Sequence, residues 1–213
     1  MQNDTQNDTQ NDTQNDKNVG YLDIIIGPMF SGKSTEMIRR VKRIMSKNKS
    51  IVVIKHSSDT RYSQNSICSH DKLKIDCISL RNIKDLFNYP EYVTKFKNSK
   101  YVAIEEGQFF KDLYNSVVSF INIYHKHVIV VGLDGDYQQL PFGNNDLIRL
   151  IPHAENVIKL QGYCQLCDDL VPASFTRRII NSTKQCLVGG KESYIPVCRK
   201  HLDKTIKYEN LFD

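Results

Sequence analysis

The sequence predicts an α/β fold, a mostly parallel sheet flanked by helices, followed by a small C-terminal lobe held together by a metal ion. Short β-branched apolar runs alternate with longer segments of helical spacing, which is the pattern of strands joined by helical crossovers. A glycine-rich phosphate-binding motif lies between the first such run and the first helical segment. Two pairs of metal-ligating residues punctuate the last quarter of the chain, where apolar periodicity fades. With 213 residues and 24.6 kDa there is room for one full-sized domain and an appendage. A composition of 40% apolar and 25% charged residues excludes a wholly disordered, collagen-like or disulfide-dense chain.

Taken in order, residues 1–18 are expected to form a disordered, low-complexity tail, because residues 2–16 repeat Gln-Asn-Asp-Thr with no apolar side chain to bury. Strands are predicted at Tyr21 to Ile26, Ile51 to Ile54, Tyr101 to Ile104, Val128 to Val131 and Val157 to Leu160. All are brief and apolar, as strands covered on both faces must be. Ser34 to Lys47 has helical length, with Met37, Val41 and Ile44 on one stripe, and Asp112 to His125 reads as a second helix. Right-handed crossovers between parallel strands follow. Residues 19–162 form the α/β domain in this reading. Residues 163–202 form the metal-held lobe, too poor in core to stand without help, and residues 203–213 form a tail.

The formal net charge is +5, yet residues 1–17 hold four aspartates against one lysine, a local −3 that leaves +8 on the rest. A basic body suits a polyanion, either nucleic acid or a nucleoside triphosphate. The basic residues are dispersed and no aromatic and basic stretch reads as a stacking platform, so no nucleic-acid partner is expected. No apolar run approaches the roughly 20 residues of a membrane span, and the N-terminus lacks the basic flank and apolar stretch of a secretory signal. A soluble, cytoplasmic protein without membrane partners is expected.

Gly27-Pro28-Met29-Phe30-Ser31-Gly32-Lys33-Ser34 has the spacing of a P-loop, between a predicted strand and a predicted helix. Glycines let successive backbone N–H groups converge on phosphate oxygens at a helix N-terminus, whose partial positive charge adds to the attraction. Lys33 then reaches the β and γ phosphates, and the Ser34 hydroxyl is placed to ligate Mg²⁺. The second signal is the strand ending in Glu105-Glu106-Gly107. In P-loop proteins a carboxylate at the end of a neighbouring strand lies near the metal and the terminal phosphates. If the strand continues, adjacent carboxylates point to opposite faces, one toward the Mg²⁺ shell and the other toward a different ligand. A solvated pair of charges at a strand end is the bland alternative.

Cys164-Gln-Leu-Cys167 and Cys198-Arg-Lys-His201 are ligand pairs with two residues between partners, separated by 30 residues. Each fits a knuckle, and two knuckles complete a tetrahedron around structural zinc. Three thiolates and one imidazole leave no open position, so no metal catalysis is expected there. Cys68, Cys77 and Cys186 have no such spacing and read as small apolar residues or incidental thiols.

The series Gly27 to Glu36, Asp59-Thr60-Arg61-Tyr62-Ser63, Glu106-Gly107-Gln108-Phe109-Phe110, Gly132-Leu-Asp-Gly135, Pro141-Phe-Gly143, the two metal pairs and Gly189-Gly190 followed by Tyr194 resembles the type II thymidine kinases. The resemblance runs from about Tyr21 to His201. It implies a P-loop, RecA-like domain with a zinc-ribbon lasso lobe. It also implies transfer of the γ-phosphate of ATP to the 5′-hydroxyl of thymidine, with deoxyuridine a second substrate, in a homotetramer subject to inhibition by dTTP. By this similarity Glu106 is the catalytic base, Arg61 sits near the phosphates, and Asp59 sits near the metal shell. The phosphate side is completed by Thr60, Glu105, Gly107 and Gln108. The same similarity puts Met29, Phe109, Tyr137 and Thr176 around the nucleoside. A loop of Gln185, Cys186, Leu187, Val188 and Gly189, with Tyr194, closes over the base through main-chain groups. Loss of zinc is expected to damage nucleoside binding and leave the phosphate loop untouched. The chain departs from the family's usual pattern in having Glu105 where Asp is usual, His201 where Cys is frequent, and Tyr137 where Phe is frequent.

Overall fold

The first strand, β1 (Tyr21–Gly27), turns Leu22, Ile24 and Ile26 to one face and Ile25 to the other, and all four are buried. Successive strand residues point to opposite faces, so an apolar run with no polar alternation requires cover on both sides. The computed structural model, which describes residues 19–58, 66–68, 74–185, 187 and 189–202, supplies that cover. On one side α1 (Lys33–Met45) lays Met37, Ile38 and Val41 against Ile25, with Ile44 packed at the margin.

The chain continues through β2 (Ile51–His56), a short hairpin of β3 (Ser66–Cys68) and β4 (Lys74–Asp76), β5 (Ile78–Leu80) and α2 (Pro90–Asn98). Then come β6 (Tyr101–Glu105), α3 (Leu113–Asn122), β7 (His127–Leu133), the single turn α4 (Asp146–Arg149) and β8 (Asn156–Lys159). Six strands form one sheet in the order β5-β2-β6-β7-β1-β8, every adjacent pair parallel. On the face away from α1, Ile24, Ile54, Ile104 and Val130 meet Phe96 of α2 and Leu113, Val117 and Phe120 of α3. This is a three-layer α/β/α sandwich.

Each strand expected from the sequence is present, with its ends displaced by a few residues. The helix expected over 112–125 is Leu113–Asn122, preceded by Asp112, whose carboxylate accepts the backbone N–H groups of Ile83 (3.0 Å) and Lys84 (2.9 Å). Two elements were not legible. β5 is three residues long and too short to show a period, and α2 is a mixed aromatic and lysine segment whose start is marked by Pro90. The strand order also corrects an expectation. β7 lies between β1 and β6, so the Glu105–Glu106 end is two strands away from the phosphate loop, not beside it.

After β8 the chain forms two small antiparallel pairs, β9 (Gly162–Tyr163) with β10 (Pro172–Ala173) and β11 (Phe175–Arg178) with β12 (Tyr194–Val197). Cys164, Ala173, Val197 and Leu202 are their buried centre, with Val171, Phe175 and Ile195 packed around it. So few apolar side chains make a weak core. No described helix is long and apolar enough to cross a membrane.

Phe120 tests the helix-to-sheet packing, since it is 1% exposed and its ring centre lies 4.7 Å from that of Phe96. Phe120→Ala should lower the unfolding free energy by about 3–5 kcal/mol, read from the urea midpoint by circular dichroism. A loss below about 1 kcal/mol would mean that this layer is not load-carrying core.

Candidate active site

Gly27 ends β1 where the chain must pass close to another backbone. A Cβ there would lie 2.4 Å from the Leu160 carbonyl oxygen, and its φ of 149° is outside the range side chains favour. The loop then folds on itself, with the Ser31 hydroxyl donating to the Pro28 carbonyl (2.8 Å) and Lys33 Nζ donating to the same oxygen (2.6 Å). Phe30 and Gly32 both take left-handed conformations, at φ 64° and 80°, and α1 begins directly after. Gly32 to Ser34 thus stand at the N-terminus of a 13-residue helix, where the first-turn N–H groups point outward and the helix dipole favours an anion.

β6 ends at Glu105, which is 4% exposed and lies beside Lys55 in the sheet register. The strand does not continue as the alternation of adjacent carboxylates required. Glu106 is left-handed (φ 53°, ψ 42°) and turns the chain into a short 3₁₀ segment, Gly107–Phe109, so its direction is set by a turn, not by a pleat. Gln108 holds that turn. Its amide Nε2 donates to Glu106 Oε2 (2.6 Å), while its Oε1 accepts the backbone N–H of Leu133 at the end of β7 (3.0 Å). Gly132 leaves the room for this bridge, because a Cβ there would fall 2.5 Å from Gln108 Oε1. Among the phosphate-side residues expected from the family resemblance, Gln108 is therefore engaged with Glu106 and the β7 backbone.

β11 carries the second half of the site. Thr176 and Arg178 share one face of it, and both are buried. Thr176 Oγ1 accepts the backbone N–H of Met29 in the phosphate loop (2.9 Å). The C-terminal lobe therefore bonds directly to the phosphate loop, through two residues that the family resemblance puts around the nucleoside. Arg178 lies across the ring of Tyr137 (3.8 Å) and donates to the Tyr194 hydroxyl (2.7 Å). Gln185 Nε2 donates to Asp136 Oδ2 (2.9 Å) and to the Pro141 carbonyl (3.2 Å). Asp136 in turn accepts the N–H groups of Gln138 and Leu140 on Oδ1, at 2.8 and 2.9 Å. Phe109 stands between Phe142 and His56, with ring centres 5.9 Å from each. Burial lowers the pKa of His56, which favours its neutral form near pH 7.

Cys164, Cys167, Cys198 and His201 bring one ligand atom each to within 4.8 Å of one another. Tetrahedral zinc with ordinary bond lengths has S···S edges of about 3.8 Å and S···N edges of about 3.5 Å. Cys167 and Cys198 Sγ are 3.8 Å apart, and His201 Nδ1 lies 3.4, 3.4 and 3.5 Å from the three sulfurs. The donor set fits zinc, with Nδ1 as the imidazole ligand. Burial opposes ionisation of the Cys164 thiol, but backbone N–H groups at Cys198 and Leu166 together with His201 and Cys167 bring it down to about 6. Burial and the neighbouring thiols push Cys167 up to about 11. A divalent cation removes that conflict, since it favours every thiolate at once.

The thymidine kinase family model matches residues 20–202. The chain belongs to the thymidine kinase family. Thymidine kinase a of Arabidopsis thaliana is 40% identical over 184 residues, covering 85% of this chain and 74% of that protein. The thymidine kinase of sheeppox virus is 41% identical over 181 residues, covering 85% and 96%, and that of vaccinia virus is 40% identical over 183 residues, covering 86% and 97%.

For this member of the thymidine kinase family, the residues expected from the sequence converge in part. Met29 of the loop 27–34 bonds Thr176, Arg178 on the same strand face gathers Tyr137, Tyr194 and the Gln185 carbonyl, and Glu106 and Gln108 form a separate group tied to the end of β7. Leu187 accepts from the Tyr194 hydroxyl through its carbonyl (3.0 Å), and Gly189 lies against Ser193. Asp59, Thr60, Arg61, Cys186 and Val188 lie outside the described residues, as do the side chain of Cys68 and the two expected tails. Cys77 is half-buried against the α1 side of the core, as its apolar reading required. Sequence reasoning missed Arg178 and Asp136. Arg178 falls two residues after Thr176 in a strand, so the period of two marked it as sharing that face.

Two outcomes follow from this geometry. Gln108→Leu and Gly132→Ala should each lower the phosphotransfer rate by roughly ten- to a hundredfold with the circular dichroism spectrum unchanged; rates within about twofold of the parent would remove the bridge from the site's construction. Chelation of zinc should raise the KM for the nucleoside by about tenfold or more. The KM for ATP should shift less, through the Met29–Thr176 bond alone. A zinc-depleted preparation, checked by metal analysis, that kept its nucleoside KM would contradict the link between knuckles and pocket.

Proposed function

We propose that this protein transfers the γ-phosphoryl group of ATP to the 5′-hydroxyl of thymidine, with deoxyuridine as a second substrate. Membership of the thymidine kinase family carries the substrate choice. The observation that carries the mechanism is the interposed strand. Strands are spaced by about 4.8 Å, so one intervening strand separates the Glu106 turn from the phosphate loop by about 10 Å. A γ-phosphoryl group and a sugar hydroxyl in line fill a gap of that order.

In this reading the Glu106 carboxylate accepts the proton of the 5′-hydroxyl. The oxygen forms its bond to the γ-phosphorus as the bond to the bridging oxygen of ADP breaks, and ADP leaves with that electron pair. Little covalent work is asked of the protein, so holding the acceptor and offsetting charge matter most. Gln108 aims the carboxylate. Lys33 and the N–H groups at the start of α1 offset charge on the β and γ phosphates, and Arg61 joins them by family similarity. The Ser34 hydroxyl would hold Mg²⁺, with Glu105 and Asp59 nearby in its shell; when bound with ATP, the ion neutralises phosphate charge.

Met29, Phe109, Tyr137, Thr176, the segment 185–189 and Tyr194 would enclose the nucleoside. Zinc would stay outside the chemistry, because its four protein ligands leave no open position. A homotetramer, inhibition by dTTP and a cytoplasmic location belong to the same reading, on family resemblance.

The deciding experiment offers ATP-Mg²⁺ with thymidine, deoxyuridine, deoxycytidine, deoxyadenosine and deoxyguanosine separately. Thymidine should be phosphorylated best and deoxyuridine next. Turnover of deoxycytidine or deoxyadenosine without thymidine would reject the reading, and so would salt-sensitive DNA binding with no nucleoside-dependent ATP turnover. Glu106→Gln should lower kcat by about 10²–10⁴-fold while ATP affinity holds. An unchanged kcat would take Glu106 out of the base role.

A further inference from the structure

Arg178 is a buried cation, 7% exposed, and among the described residues no carboxylate pairs with it. A charge taken out of water without a counter-ion is costly unless dipoles converge on it. Here they come from one stretch of chain. Its two terminal nitrogens donate to the carbonyls of Ser182 (2.9 Å), Lys184 (2.6 Å) and Gln185 (3.1 Å) and to the Tyr194 hydroxyl (2.7 Å). That hydroxyl donates onward to the Leu187 carbonyl (3.0 Å). The guanidinium plane also lies 3.8 Å from the ring centre of Tyr137, across the gap in the α/β domain. Only its Nε lacks a partner among the described buried side-chain nitrogens and oxygens.

We propose that Arg178 is a positioning residue for nucleoside recognition: it locks the carbonyls of Ser182, Lys184 and Gln185, the Tyr194 hydroxyl that holds Leu187, and the ring of Tyr137 into one frame before the nucleoside arrives. This rests on the kinase reading, which puts that segment and Tyr137 around the base. A planar fork with fixed donor directions can hold several carbonyls in set positions, whereas an ammonium on a flexible stem cannot. The far side of the segment is pinned by Gln185 to Asp136 and the Pro141 carbonyl. A segment fixed from both sides has little conformational freedom left to lose when a ligand binds. Because Thr176 shares the strand face and bonds Met29, the same strand registers this frame against the phosphate loop. The opposite face serves the knuckles, where Arg177 donates to the His201 carbonyl (3.1 Å) and Arg199 lies over Phe175 (4.6 Å). Arg178 therefore acts on recognition without touching the metal ligands.

The test uses the full chain with one zinc per protomer and the variants Arg178→Lys, Arg178→Gln and Tyr194→Phe. In both Arg178 variants the KM for thymidine should rise about tenfold or more. The KM for ATP should stay within about twofold, kcat at saturation within about threefold, and zinc content unchanged. Tyr194→Phe removes only the hydroxyl between Arg178 and Leu187, so it should move the thymidine KM in the same direction by a smaller factor. It also keeps the proposal falsifiable if the Arg178 variants do not fold. Equal rises in both KM values, or an unmoved thymidine KM in a folded variant, would overturn the proposal. Trypsin cleavage after Lys184, whose carbonyl Arg178 holds, gives a readout that needs no substrate: it should accelerate about tenfold or more in the Arg178 variants, and an unchanged rate would equally overturn it. If the parent phosphorylates no thymidine, the kinase reading fails, and the cleavage rates still decide whether Arg178 holds the segment.

Discussion

The hydrogen bond from the Met29 N–H to Thr176 Oγ1, 2.9 Å long, joins the phosphate loop to a lobe whose apolar centre, among the described residues, is Cys164, Ala173, Val197 and Leu202. The site depends on that contact because its two halves have separate sources of order. The phosphate loop is held by the sheet, through Gly27 packed under the Leu160 carbonyl. The lobe carries the four-ligand cluster, whose thiols and imidazole are spaced as zinc requires. One strand, β11, touches both, with Thr176 and Arg178 on one face and Phe175 and Arg177 on the other. Its period of two places a threonine and an arginine on the face opposite the ligand cluster.

On the other side of the gap, geometry comes from turns. A left-handed Glu106 ends β6, and the Gln108 amide ties it to the end of β7. Two carboxylates adjacent in sequence thereby acquire different surroundings, Glu105 buried at the C-terminal end of the interior strand β6 and Glu106 half-exposed on a turn. Interposing β7 between β1 and β6 sets the Glu106 turn two strands from the phosphate loop.

Arg178 illustrates how a buried charge can serve order instead of stability. Its carbonyl partners come from a segment with no helix or strand of its own, so the cation substitutes for a hydrogen-bond ladder. Gln185 and Asp136 complete the tie from the opposite side.

By itself the amino-acid sequence determined whatever is local and periodic: the five short apolar strands, the α1 stripe, the Gly27 to Ser34 loop and the two ligand pairs. Each is readable because a strand, a helix turn, a phosphate cradle or a knuckle imposes its own short spacing on neighbouring residues. The strand order that interposes β7, the left-handed turn at Glu106, the Gln108 bridge and the convergence of carbonyls on Arg178 were decided only by tertiary structure. Their partners are distant in the chain or depend on a turn, so no spacing records them. A hydrogen bond between Met29 and Thr176 spans 147 residues, and only the folded chain brings its ends together.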